Sequence, residues 1–151
     1  MEHMCSGCET CMRICPVDAI YGAKRQIGSS YIVKNLYESG NPLDLLIGEL
    51  KEGEAVSVLI VERLLERAAE LNSNPDGTEK YDFVILDTAP GAHCDVEHSL
   101  ESAELIVAVT EPTPFGEHDL KRIMELINLL DRKAYVLLNR STLTNYKQAI
   151  M

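Results

Sequence analysis

Four of the five cysteines in the chain lie between positions 5 and 15. They form the pattern C-x2-C-x2-C-x3-C-P and are Cys5, Cys8, Cys11 and Cys15. Steps of this length let consecutive thiolates contact one corner of a cubane of iron and sulfide, and the same run is used to bind 4Fe-4S clusters. The pattern therefore predicts an iron–sulfur site with these four cysteines as metal ligands.

The main alternative for the cysteine run is a structural zinc site, but zinc sites usually pair two separate C-x2-C knuckles across a longer loop. The pattern does not determine the fourth ligand of the cluster, because in two-cluster ferredoxins the last cysteine of each run binds the other cluster. The chain contains no second run. Either Cys15 completes a single site, or the missing ligand lies in sequence that is not present.

The acidic composition argues against two classes of partner. The chain has 24 Asp and Glu against 14 Lys and Arg, for a formal net charge of -10, which repels nucleic-acid phosphates and anionic lipid headgroups. No apolar run approaches the roughly 20 residues that span a bilayer, and MEHMCSGC lacks the layout of a signal peptide. We therefore expect a cytoplasmic protein with neither nucleic acid nor membrane as a partner, and cysteines that bind metal rather than form disulfides.

Hydrophobic patterns from residue 54 onwards predict an α/β fold. Apolar residues at helical spacing over 54–71 indicate an amphipathic helix. The runs YDFVILD, ELIVAVTE and AYVLLNR are too continuous for half-exposed strands and indicate buried parallel strands. A second helix is predicted over EHDLKRIMELINLLD. This order predicts an incomplete doubly wound parallel sheet, since three strands are few for such a fold.

Polar residues follow each predicted strand. Asp87 ends the first strand and precedes Thr-Ala-Pro-Gly, Thr110 and Glu111 end the second, and Asn139 follows the third. Doubly wound sheets bind ligands at the carboxyl ends of their strands, so these residues are candidates for a nucleotide site. The alternative for Asp87 is that it only caps a turn.

Together with the cysteine run, the segments VILDTAPGAHCDVEHSL, VAVTEPTPFGEHDLKRIMEL and VLLNR resemble the MinD and Mrp-type P-loop ATPases that carry an inserted ferredoxin domain. The resemblance covers nearly all of the chain. It implies the second half of a ferredoxin-like module at 1–30, a linker at 31–53 and a partial MinD-like nucleotide-binding α/β domain at 54–151. It also implies ATP and Mg2+ as ligands beside the 4Fe-4S cluster.

The resemblance also assigns roles to the strand-end residues. Asp87 would begin a switch loop that senses Mg2+ and the γ-phosphate, Glu111 would lie along the nucleotide, and Asn139 would contact the adenine. The residues that it implies for nucleotide binding are Asp87, Pro90, Gly91, Glu111, Pro112 and Asn139.

The phosphate-binding loop that defines this family, G-x-x-x-x-G-K-[ST], does not occur in the sequence. The chain therefore resembles a middle fragment of such a protein. By analogy, the absent first strand would lie between the VILD and VAVT strands. We expect that the chain alone neither hydrolyses ATP nor folds robustly.

Cys94 is the fifth cysteine and follows Asp87 by seven residues. A related ATPase, the iron protein of nitrogenase, similarly places a cluster cysteine a few residues past its switch aspartate, which makes Cys94 a further candidate metal ligand. The alternative is a small cysteine packed at the start of a helix. The four histidines lack ligand spacing and are expected to be solvated or capping residues.

Three functional hypotheses follow from these features. The first is part of an ATP-dependent iron–sulfur protein that couples nucleotide state to electron or cluster transfer. The second is a ferredoxin-like electron-transfer module whose α/β portion is a non-catalytic scaffold, and the third is a truncated reading frame without function. A redox partner or an apo iron–sulfur protein is the expected partner, and the family implies a homodimer.

Overall fold

The computed structural model describes residues 5, 7–34, 36 and 43–142. The chain divides into two compact units, Met1–Lys80 and Tyr81–Met151. Each unit combines helices with a small sheet, so the chain is of mixed α and β class.

The first unit contains an antiparallel pair of strands followed by a long helix. Its elements are α1 (Thr10–Arg13), β1 (Gly28–Val33), β2 (Leu45–Leu50) and α2 (Val58–Asn72). In the sheet, Gly28 lies opposite Leu50 and Val33 lies opposite Leu45. Residues 31–53, which the sequence analysis treats as a linker, thus include β2 and the second half of β1.

Helix α2 confirms the amphipathic helix predicted over 54–71, but it begins at Val58. The residues before it form a turn, in which Gly53 has a left-handed φ of 83° and the Glu54 N–H donates to the Lys51 carbonyl. Further along the helix, Arg67 donates a 2.8 Å hydrogen bond to the Ser30 hydroxyl of β1. The helix is therefore joined to the sheet by a polar contact as well as by packing.

Two glycines allow α2 to lie very close to the sheet. A Cβ atom at Gly48 would stand 2.5 Å from Cδ1 of Leu64 and 2.7 Å from Cγ2 of Ile60. At Gly28 it would stand 2.6 Å from Cδ1 of Ile60 and 2.4 Å from the main-chain oxygen of Glu49. Real side chains essentially never make such contacts, so this face of the sheet depends on having no side chain at either position.

The opposite face of the same sheet is apolar and exposed. Because side chains alternate between the faces of a strand, residues an odd number of positions from Gly28 in β1 or from Gly48 in β2 project away from α2. The large apolar ones are Tyr31, Val33, Leu45 and Ile47, and all four are exposed.

The second unit contains a parallel pair of strands connected by a helix. Its elements are α3 (Cys94–Ser102), β3 (Ile106–Thr110), α4 (Pro114–Leu129) and β4 (Ala134–Leu138). Ile106 lies opposite Ala134, and Thr110 lies opposite Leu138. The structure thus confirms two of the three predicted parallel strands and the helix between them. It does not confirm that these strands are buried, because the three central residues of β4 are exposed.

A small core joins α3, β3 and α4 on one face of the parallel pair. Its buried members are Val96, Leu100, Ile106 and Ile127, with Ala103, Ile123, Met124, Leu126, Leu130 and Ala134 packed around them. The Arg132 guanidinium donates a hydrogen bond to the main-chain carbonyl of Ala103, one of the residues packed around this core. On the other face, Val109 and Leu137 are exposed.

The structure differs from the sequence prediction at YDFVILD. Residues 81–87 form neither a strand nor a helix, and Phe83 and Ile85 are 86% and 88% exposed. A strand requires a hydrogen-bonding neighbour, and no strand lies beside this segment in the part of the chain that the structure describes. The apolar run is therefore exposed rather than buried.

Substitution of Gly28 by alanine should weaken the first unit. The added Cβ would overlap the Glu49 main chain, which cannot rotate away, so we expect a loss of about 1–3 kcal/mol, the usual cost of overpacking. Hydrogen exchange of the β1 and β2 amides would measure it. Gly22→Ala is the matched control, because its Cβ would meet only the Met12 side chain, at ordinary distances of 3.6 Å from Sδ and 3.8 Å from Cε. Equal losses of protection in both variants would contradict the explanation.

Candidate metal centre

The cysteine run occupies a short, exposed stretch of the first unit. Cys11 lies in α1, Cys5 and Cys8 precede this helix, and all three are exposed. Cys15 follows the helix and is partly buried. Three residues around α1 have left-handed φ angles: Gly7, Glu9 and Asp18. These conformations do not belong to a right-handed helix, so α1 is limited to Thr10–Arg13.

Main-chain amides surround the sulfur of Cys15. The Ala19 N–H donates to Cys15 Sγ at 3.3 Å. Hydrogen bonds from the amide of Val17, and then from that of Ala19, lower the pKa of the Cys15 thiol from its ordinary value. Such bonds favour the thiolate, the form in which cysteine binds metal.

The cysteines provide a suitable donor set for a 4Fe-4S cluster. Four thiols with the spacing of a cluster-binding run, one of them with amide donors aimed at its sulfur, match the ligands and the N–H···S bonds that such clusters use. Among the described residues, however, no three His, Cys, Asp or Glu side chains converge into a metal-binding group. The run fits the cluster in chemistry and in order along the chain, without a preformed cage.

An ion pair that sequence reasoning missed lies beside the first cysteine. Arg25 forms a hydrogen-bonded ion pair with Glu54, and its other terminal nitrogen lies 3.5 Å from the Cys5 carbonyl oxygen. The Glu54 side chain is only 5% exposed. No local pattern could have indicated this contact, because Arg25 and Glu54 are 29 positions apart.

In the second unit, the structure brings together polar residues at the carboxyl ends of β3 and β4. The Asn139 N–H donates to the Thr110 carbonyl at 2.8 Å, and the Arg140 N–H donates to Oδ1 of Asn139 at 2.9 Å. Arg140 also forms a 3.1 Å ion pair with Glu111. We refer to Glu111, Asn139 and Arg140 as the strand-end cluster. Glu111 and Asn139 are candidates from the sequence, whereas Arg140 is found only in the structure.

Tight main-chain contacts hold this edge. Pro112 is fully buried, and Thr113 caps α4 by accepting the Gly116 N–H at 3.0 Å. The Thr110 hydroxyl donates to the Gly116 carbonyl at 2.8 Å. A Cβ at Gly116 would stand 2.3 Å from the Glu111 main-chain oxygen, so only glycine fits there. These contacts fix the position of the Glu111 main chain, from which its side chain projects.

The predicted switch loop is not joined to that cluster. Asp87 and Pro90 are exposed, and Gly91 has a left-handed φ of 107°. Within the described residues, no hydrogen bond or ion pair connects Asp87 with Glu111 or Asn139. The roles of these residues in nucleotide binding stay predictions.

Cys94 and three of the four histidines belong to the second unit, in or beside α3 and α4. Cys94 is the exposed first residue of α3, His93 precedes it in extended conformation, and His98 lies within the same helix. His118 is exposed in α4, and His3 lies outside the described residues.

The cysteine run is the part of the chain that matches a known protein family. Residues 1–21 match the model of the 4Fe-4S binding domain. The N-terminal segment is an iron–sulfur, ferredoxin-like module. None of the helices that the structure describes is both long and apolar enough to cross a membrane.

Two relatives extend the likeness beyond this module. Both are uncharacterised proteins of Methanocaldococcus jannaschii: MJ0579 is 32% identical over 97% of the chain, and MJ0578 is 30% identical over 73% of it. The chain spans 49% and 37% of their lengths, that is, half or less of these relatives. No solved structure matches the chain.

Replacement of single cysteines should separate metal ligands from the fifth thiol. We expect Cys8→Ser and Cys11→Ser to lose most of the iron and acid-labile sulfide after anaerobic reconstitution, because serine is a poor ligand for these clusters. Cys94→Ser is the matched control and should keep both. Loss of iron in the control would place Cys94 among the ligands, and full loading of Cys11→Ser would exclude Cys11 as one.

The cap at Thr113 should contribute measurably to the second unit. Thr113→Ala removes the acceptor for the Gly116 N–H and should lower the free energy of unfolding by about 1 kcal/mol. Thr113→Ser keeps the hydroxyl and should recover most of that loss. Urea unfolding followed by far-ultraviolet circular dichroism would compare the three proteins. An alanine variant as stable as the wild type would show that the cap contributes little.

Proposed function

We propose that this chain is part of an ATP-dependent iron–sulfur protein in which nucleotide state is coupled to electron or cluster transfer. The observation that carries the proposal is the cysteine run, which matches the 4Fe-4S binding domain over residues 1–21. Since the chain spans about half of MJ0579, the activity proposed is that of a longer protein.

The iron–sulfur part of the proposal rests on the chemistry of the first unit. A bound 4Fe-4S cluster supplies one-electron redox chemistry. The four cysteines would hold it, and the amides of Val17 and Ala19 stabilise the Cys15 thiolate. Because Cys5, Cys8 and Cys11 are exposed, a partner protein can come close to the site.

The nucleotide part is supported by the strand-end cluster. Parallel strands of α/β proteins bind phosphorylated ligands at their carboxyl ends, and here that edge presents a carboxylate, an amide and a guanidinium. Asp87 follows a further apolar run and would hold Mg2+, with Pro90 and Gly91 giving the loop its turn. The phosphate-binding loop itself would come from elsewhere in the longer protein.

A redox protein or an apo iron–sulfur protein is the partner that this chemistry suits. The acidic surface favours a basic partner, and a homodimer is proposed by analogy with the MinD and Mrp-type ATPases. We place the protein in the cytoplasm, where exposed thiols stay reduced.

The experiment uses the full reading frame that contains this chain, reconstituted anaerobically with iron and sulfide. Reduction potential and partner affinity are then measured with ADP, ATP and a non-hydrolysable ATP analogue. ATP should shift at least one of the two quantities. Asp87→Asn should abolish the shift while iron content stays unchanged, and Asp82→Asn, an exposed aspartate of the same segment, should respond like the wild type.

Two outcomes would contradict the proposal at different points. Absence of labile iron and sulfide from the reconstituted protein would remove the iron–sulfur function. A loaded cluster whose potential and partner affinity never respond to ATP would instead favour a ferredoxin-like electron-transfer module with a non-catalytic α/β scaffold.

A further inference from the structure

The Arg25 guanidinium connects the first cysteine of the run with a buried carboxylate. One terminal nitrogen, Nη1, donates to Oε1 of Glu54, and the other, Nη2, lies 3.5 Å from the Cys5 carbonyl oxygen. The charge of Arg25 is thus held next to the main chain of a cluster ligand. Its position is set by Glu54, which follows the turn between β2 and α2.

Glu54 is an unusual partner for this arginine. Its side chain is 5% exposed, whereas that of Arg25 is 32% exposed, and within the described part of the chain the buried Oε2 atom has no hydrogen-bond partner. A buried carboxylate with one unsatisfied oxygen costs free energy. Apolar residues of similar size often replace buried ion pairs without loss of stability, so stability alone does not explain the pair.

We propose that Arg25 and Glu54 set the reduction potential of the cluster bound through Cys5, with Arg25 raising it and Glu54 lowering it. The proposal rests on the iron–sulfur function. When a low-potential donor gives one electron to the cluster, the site becomes more negative by one charge, and no protein bond forms or breaks. A nearby cation favours this reduced state and a nearby anion opposes it.

The geometry makes both charges effective at short range. Arg25 Nη2 lies 3.5 Å from the main-chain oxygen of Cys5, which is well inside the screening length of about 8 Å at physiological ionic strength. Glu54 is shielded from water, so solvent screens its charge little.

Three charge-neutralising variants test the proposal in the full chain, each reconstituted anaerobically and assayed first for iron and sulfide. Arg25→Gln should shift the midpoint potential to a more negative value than the wild type, and Glu54→Gln to a more positive value. Lys24→Gln makes the same charge change as Arg25→Gln, one residue away and at an exposed position, and should shift the potential less. Redox titration at pH 8, followed by the electron paramagnetic resonance of the reduced cluster, measures all four proteins.

The signs of the shifts distinguish an electrostatic role from a structural one. Both Arg25→Gln and Glu54→Gln break the ion pair, so a purely structural role would move the potential in the same direction in both and would overturn the proposal. Equal shifts in Lys24→Gln and Arg25→Gln would also overturn it. If Arg25→Gln fails to take up iron, the sign of the Glu54→Gln shift decides. A wild-type chain that binds no iron and sulfide would refute the iron–sulfur function itself.

Discussion

A pair of β-strands has two faces whose apolar side chains need to be covered and two edges whose main-chain groups need hydrogen-bond partners. Both units of the chain are subject to this constraint. Within the described residues each sheet has two strands and is packed by helices on one face. The other faces expose apolar side chains, such as Ile47 in the first unit and Val109 in the second. Because isolated two-stranded sheets are at best marginally stable in water, each unit depends on its helix packing.

That dependence explains why glycine recurs where a helix contacts a strand within each unit. Gly28 and Gly48 let α2 reach the antiparallel sheet, and Gly116 lets the start of α4 lie against the end of β3. Both candidate sites lie next to such contacts. The turn after β2 places Glu54 beside Arg25, and the capped start of α4 places Glu111 beside Arg140. Main-chain packing therefore positions the charged groups on which the proposed chemistry depends.

Sequence reasoning succeeded where the signal is local. The cysteine run is defined by spacing alone, and β3, α4 and β4 have continuous or periodic apolar patterns. The β1 and β2 pair was missed because Gly28, the following serines and Gly48 interrupt the apolar alternation that indicates strands. Residues 81–87 have a strong strand pattern, but a pattern cannot supply a neighbouring strand. The contact of Arg25 with Glu54 joins residues 29 positions apart, so it depends on how the intervening chain folds and has no sequence signal.

The two ion pairs beside the candidate sites differ in what it costs to separate them. Arg140 and Glu111 are 63% and 39% exposed, and exposed pairs of this kind typically contribute about 0–1 kcal/mol. A ligand that competes for either side chain therefore meets little resistance. Separation of Arg25 from Glu54 leaves a buried carboxylate unpaired, which typically costs about 3–5 kcal/mol and less where one partner is partly exposed, as Arg25 is. The strand-end pair is thus easily rearranged, which suits the nucleotide binding proposed there. The pair beside Cys5 keeps its charges in place, which suits the proposed control of a reduction potential.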